Sequence, residues 1–185
     1  GVVSVGGAGK VTFFNEVTQN GQVLVTDSSL AVFLDDVDGS GTFTGDVEFA
    51  GTVQPGNSPG AISFANVSFR NAARLIMEIA GLTPAEYDQL YIAGLLEAGG
   101  TLQIDLLDGF APSPGDAFDL FDFAGLDGQF QLDLPDLPTG LTWDDSALNS
   151  TGTIAVIPEP TSAILLALAS LAIRRRVVSS TRSAF

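Results

Sequence analysis

Three short clusters hold the side chains of this chain best suited to chemistry. Counted from Asp36, the segment Asp36-Val37-Asp38-Gly39-Ser40-Gly41 places oxygen atoms at positions one, three and five of a calcium loop and glycine at position six. Position twelve is Val47, where such a loop needs a bidentate glutamate, and Asp-Gly-Ser-Gly serves equally well as a turn. Asp36, Asp38 and Ser40 are therefore either calcium ligands or turn residues, and calcium is the only cofactor the chain suggests. Trp143-Asp144-Asp145 and Glu86-Tyr87-Asp88 set an aromatic ring beside carboxylates. Those are the ingredients of a sugar-stacking platform on Trp143, Tyr87 and Tyr91, or of a two-acid glycosidase, whose carboxyl groups stand about 5 to 9.5 Å apart. In so acidic a chain such neighbours also arise by chance, and aromatic residues within alternating strands are ordinarily core.

Other chemistries lack their residues. The chain has no cysteine and no histidine, which removes disulfides, thiolate nucleophiles and the commonest neutral-pH base. Residues 1–157 carry 21 acidic side chains against Lys10, Arg70 and Arg74, a net charge of −18. Such a surface repels nucleic acid phosphates and anionic bilayers, and favours solubility and contact with cations. A polysaccharide lyase is disfavoured as well, since three bases offer little to neutralise a charged substrate. The residues read as those of a non-enzymatic protein.

The elements that must position these groups are strands. Aligning Val11 to Gly21 with Ala31 to Gly41 gives an offset of twenty residues that matches Phe13 with Phe33, Val17 with Val37 and Gly21 with Gly41. A period near twenty with glycine at the corners suits stacked parallel coils, each burying its apolar row against the next. Phe43, Val47, Phe49 and Val53 continue the alternation. Pro55-Gly56-Asn57-Ser58-Pro59-Gly60 then marks a sharp corner by its two Pro/Gly pairs. Thr83-Pro84-Ala85-Glu86 is a helix-start signature, with Tyr87, Leu90, Tyr91 and Leu95 at helical spacing. The β-rich surroundings and Gly99-Gly100 favour strands instead, at Leu75 to Ile79 and near Leu90 to Leu96. Further strands are expected at Leu102 to Leu106, Phe118 to Phe121, Phe130 to Leu134 and Thr153 to Ile157.

The end of the chain is of another kind. Pro158-Glu159-Pro160 precedes an apolar run from Thr161 to Ile173 and then Arg174, Arg175 and Arg176. As a helix, thirteen residues reach about 20 Å, short of the roughly 30 Å of bilayer hydrocarbon. The arginines stay on the cytoplasmic side by the positive-inside rule, which leaves everything before them outside. In composition and order the ending IPEPTSAILLALASLAIRRR resembles the PEP-CTERM sorting signal of exosortase substrates. The resemblance implies recognition near Pro158 to Pro160 by a membrane-embedded exosortase-type enzyme, with only transient membrane anchoring through a short C-terminal helix. The tail from Val177 to Phe185 is longer than such signals usually carry.

The segment GTFTGDVEFAGTVQPGNSPGAISF, with the later AEYDQL, GGTLQIDLLDGFAPSPGDAFDLFDF and GLTWDDSALNSTGTIAV, resembles the C-terminal part of autotransporter-like β-solenoid surface proteins that often precede PEP-CTERM signals. That resemblance implies an all-β fold of parallel β-solenoid coils closed by an irregular β-rich cap, with a structural or adhesive role and a conformational one for Pro55 to Gly60. The expected organisation is a passenger over 1–157 and a sorting signal over 158–185. Gly1-Val2-Val3-Ser4 is no signal peptide, so the passenger is expected to begin within a longer precursor. The expected place is the cell surface or extracellular matrix. The alternative is a carbohydrate-binding or calcium-dependent adhesive module of the same fold, with extracellular polysaccharide as partner.

Overall fold

Twenty residues separate Phe13 from Phe33, and the two lie opposite each other on neighbouring parallel strands; Val17 stands opposite Val37 in the same way. The sequence repeat is therefore a strand register. The computed structural model describes residues 1–56 and 58–160, which are mostly β-structure. In chain order the strands are β1 (Val2–Val5), β2 (Lys10–Phe13), β3 (Val17–Thr18), β4 (Gln22–Val25), β5 (Leu30–Phe33), β6 (Val37–Gly39), β7 (Thr42–Phe49), β8 (Thr52–Pro55) and β9 (Ala61–Phe69). After these come β10 (Arg74–Ile79), β11 (Gln89–Ala98), β12 (Thr101–Leu106), β13 (Ala117–Asp119), β14 (Phe121–Gly128), β15 (Gln131–Asp133), β16 (Leu141–Asp144) and β17 (Thr153–Pro158).

Two parallel sheets carry most of them. One has the order β1-β4-β7-β9-β11-β14, with β5 beside the second half of β7 and β2 beside β5; the other has the order β3-β6-β8-β10-β12-β15. From β7 to β12 the chain alternates between the two sheets at every strand. Each crossing brings the apolar side of one strand against that of the other sheet, and a single core results. An all-β fold is what the alternation in the sequence predicts.

The core is organised by phenylalanine. Phe13, Phe33, Phe49 and Phe69 occupy one row of facing positions, with successive ring centroids 4.5, 5.3 and 5.6 Å apart and interplanar angles of 26° or less. Neighbouring strands sit about 4.8 Å apart, so identical rings in register come within stacking distance. Phe43 and Phe64 form a second stack at 5.1 Å and meet Phe49 edge-on. Gly45 makes the kink between the two rows. At φ +77° it shifts the register between Phe43 and Asp46, and a Cβ there would lie 2.2 Å from the Val25 carbonyl oxygen.

The predicted corner joins β8 to β9. Gly56 donates its N–H to the Gly39 carbonyl at 2.8 Å, and a Cβ on it would come 2.6 Å from the Gly39 Cα, so the chain passes where only glycine fits. Asn57 lies outside the described residues.

The segment with two readings resolves as both in part. Thr83 and Glu86 do form the capping box, but it closes only a 3-10 turn, Pro84–Glu86, after which β11 runs to Ala98. The helix ends because Leu90, Ile92 and Leu96 are claimed by the core from parallel strands on both sides. Helix among the described residues is otherwise the short α1, Leu148–Thr151. A third, antiparallel sheet, β13-β17-β16, closes the C-terminal end over Phe118, Ile154 and Val156. No helix among the described residues is long and apolar enough to cross a membrane. The apolar run from Thr161 and the arginines Arg174, Arg175 and Arg176 lie outside the described residues.

Candidate functional site

The predicted calcium loop is not a loop. Val37–Gly39 is strand β6, paired to β3 and β8, so Asp36 and Asp38 project from an extended backbone about 6.6 Å apart along the strand instead of curling round one point. Asp36 Oδ1 accepts the Thr52 N–H at 3.1 Å, and the Ser40 N–H donates to Asn20 Oδ1 at 3.2 Å. Asp38 keeps a buried Oδ1 without a hydrogen-bond partner, whereas calcium takes six to eight oxygens. No group of three or more acidic side chains among the described residues is arranged to hold a metal. Chelation with EDTA is accordingly expected to leave the melting temperature unchanged. A fall that calcium restores would establish a bound ion, since a ligand of the native state stabilises it by mass action.

The aromatic candidates divide. Tyr87 is buried, its ring edge 5.6 Å from Phe118, and burial pushes its hydroxyl above the ordinary range. A ring in that position offers no face to a sugar. Trp143 is half-buried, packs on the same Phe118, and donates Nε1–H to the Pro135 carbonyl at 3.0 Å. Both rings anchor the cap to the core. Tyr91 is the exposed one, on the outer side of β11 with its hydroxyl donating to Gln89.

The suspected acids are engaged by their own surroundings. Exposed Glu86 accepts the Thr83 N–H at 2.9 Å, which holds its carboxyl below the usual range, while Asp88 is fully buried. Asp144 is likewise held low by Ser146, whose N–H it accepts at 3.0 Å in the turn before α1.

Asp88 instead meets Glu78, a pairing with no local signature in the sequence. The Asp88 carboxylate accepts the Gly60 N–H at 2.5 Å through Oδ1 and the Glu78 N–H at 2.8 Å through Oδ2. Glu78 accepts Gln54 Nε2–H at 3.0 Å and the Ser58 hydroxyl. Together the two acids clasp the corner, one at Ser58 and the other at Gly60. Burial pushes the Asp88 carboxyl up to about 7; the two amide donors oppose that rise, and the nearby Glu78 charge adds to it. A residue spacing of 28 between Gly60 and Asp88 explains why nothing in the sequence pointed to the contact.

The predicted processing box lies at the end of β17. Pro158 is the last residue of β17, opposite Leu141 on β16, and the Glu159 N–H donates to the Gly140 carbonyl at 2.8 Å. Pro158, Glu159 and Pro160 are all exposed. No protein-family model matches the chain, and no curated protein matches it.

Proposed function

We propose that this chain is an exported, non-enzymatic scaffold of the cell surface or extracellular matrix, built as a parallel β-solenoid and sorted through its C-terminal end by an exosortase-type membrane enzyme. The observation that carries the reading is the position of Pro158-Glu159-Pro160. The box is exposed at the end of the last strand of the cap, and the sequence continues directly into a short apolar run and three arginines. A processing signal must be reachable at the edge of the folded body and lie beside the membrane, and a box at the exposed end of the last strand, followed at once by the apolar run, suits both needs. The solenoid part of the reading is supported by the two parallel sheets, the alternation of the chain between them and the phenylalanine ladder along their shared core. Such a body gains its stability from neighbouring coils and needs no cofactor or disulfide. The acidic exterior keeps it soluble among matrix polymers.

The test is a sorting experiment in a host carrying the enzyme. Replacing Pro158, Glu159 and Pro160 together with alanine is expected to leave export and folding intact and to trap an uncleaved, membrane-associated form. Replacing Arg174, Arg175 and Arg176 with alanine is expected to let the tail translocate unprocessed, because nothing then stops a thirteen-residue apolar run. Fractionation with an antibody to the passenger separates these products. Normal cleavage and location of the triple-alanine box variant would sink the reading.

A further inference from the structure

The box tripeptide has one backbone donor. Pro158 and Pro160 carry no N–H, so the amide of Glu159 is all that the segment offers to an enzyme binding it as an extended strand. In the folded protein that amide is taken by the Gly140 carbonyl at 2.8 Å. Gly140 is held for the purpose by the turn in which the Leu141 N–H donates to the Pro138 carbonyl at 3.1 Å. Strand β16 then runs along the preceding residues, with Leu141 opposite Pro158 and Thr142 opposite Ile157.

The tether is short as well. Glu159 is two residues from Thr161, where the apolar run begins, a reach of about 7 Å when extended. With β17 fully paired, the cap, which exposes Asp136 and Asp145, would be held close to the bilayer surface. Those carboxylates oppose such an approach to an anionic surface.

We infer that β16 and the turn before it mask the processing box, so that cleavage requires Ile157 to Glu159 to peel from β16. The inference rests on the sorting reading above. Peeling frees the Glu159 amide and lengthens the tether in one movement. Val156 and Ile154 remain buried while it happens, so the opening is confined to the strand end and leaves the core closed. The rate of processing is then set by the opening equilibrium of the cap as well as by the enzyme.

A cross-strand disulfide tests this directly, since the chain has no cysteine of its own. The full chain carrying Thr142→Cys with Ile157→Cys, in a host with the enzyme, is expected to be processed at least tenfold more slowly when oxidised than after addition of a membrane-permeant reductant. An independent variant with Gly-Ser-Gly inserted between Ile157 and Pro158 moves the box beyond the reach of Gly140 and is expected to be processed several-fold faster than wild type. Equal rates for oxidised, reduced and spacer forms, with wild type processed normally, would overturn the masking and leave the sorting reading standing. Absence of any processing of wild type would overturn both.

Discussion

Replacing Phe49 by alanine is expected to cost about 4 kcal/mol of stability, the scale of a large aromatic removed from a close-packed core. Phe49 is wholly buried, stacks on Phe33 and Phe69, and meets Phe43 and Phe64 edge-on. No backbone movement that preserves the parallel register can fill the space, because the strands on both sides are fixed by their own neighbours. The same change at Phe13 is expected to cost only about 1 kcal/mol. That ring is half-buried and stacks on Phe33 alone. Urea unfolding followed by circular dichroism checks the contrast through the midpoints at constant m-value. Equal losses at the two positions would show that the ladder is not what couples the strands.

That contrast bears on what the sequence could disclose. The offset of twenty residues was legible because the first two passages of the chain have equal length and place Phe, Val and Gly at equivalent points. Later the spacing between facing residues changes, from 16 residues for Phe33 and Phe49 to 22 for Val53 and Leu75 and 30 for Leu102 and Leu132. The changes lie in connections and in bulges such as the one at Gly45, and the strands stay paired while periodicity in the sequence disappears. Alternation still located Leu75 to Ile79, Leu102 to Leu106 and the strand near Leu90 to Leu96. The pattern Asp-x-Asp-Gly is ambiguous because a calcium loop and a strand entering a glycine corner use the same residues. They differ in backbone curvature, which β3 and β8 decide by pairing with β6 from either side. The acid clasp on the corner was invisible for a related reason. Glu78 reads as an ordinary outward residue between Met77 and Ile79, and Asp88 as a neighbour of Tyr87. Only the packing of β10 against the corner turns them toward each other.

That clasp makes the stability of the body depend on pH. Asp88 is raised from 3.8 to about 7 in the folded protein by burial, while in the unfolded chain it titrates near the ordinary carboxylate value. The folded state therefore binds this proton more tightly than the unfolded state. The stabilisation is complete below about pH 4 and is lost as the pH rises through about 7, which amounts to on the order of 4 kcal/mol at about 1.4 kcal/mol per pKa unit. Mutual repulsion among the many other carboxylates acts in the same direction, so the wild-type curve alone would not isolate the site. Asp88→Asn does isolate it. The amide cannot titrate, and it retains one acceptor oxygen for either the Gly60 or the Glu78 N–H while presenting an NH2 group to the other. The variant is expected to be the less stable protein at pH 4.5, and its deficit is expected to shrink steadily toward pH 7.5 as wild type loses the contribution of its proton. Urea midpoints measured at pH 4.5, 6 and 7.5 for both proteins give the difference directly. Parallel curves would mean that Asp88 is already ionised at pH 4.5, with its two backbone donors outweighing its burial.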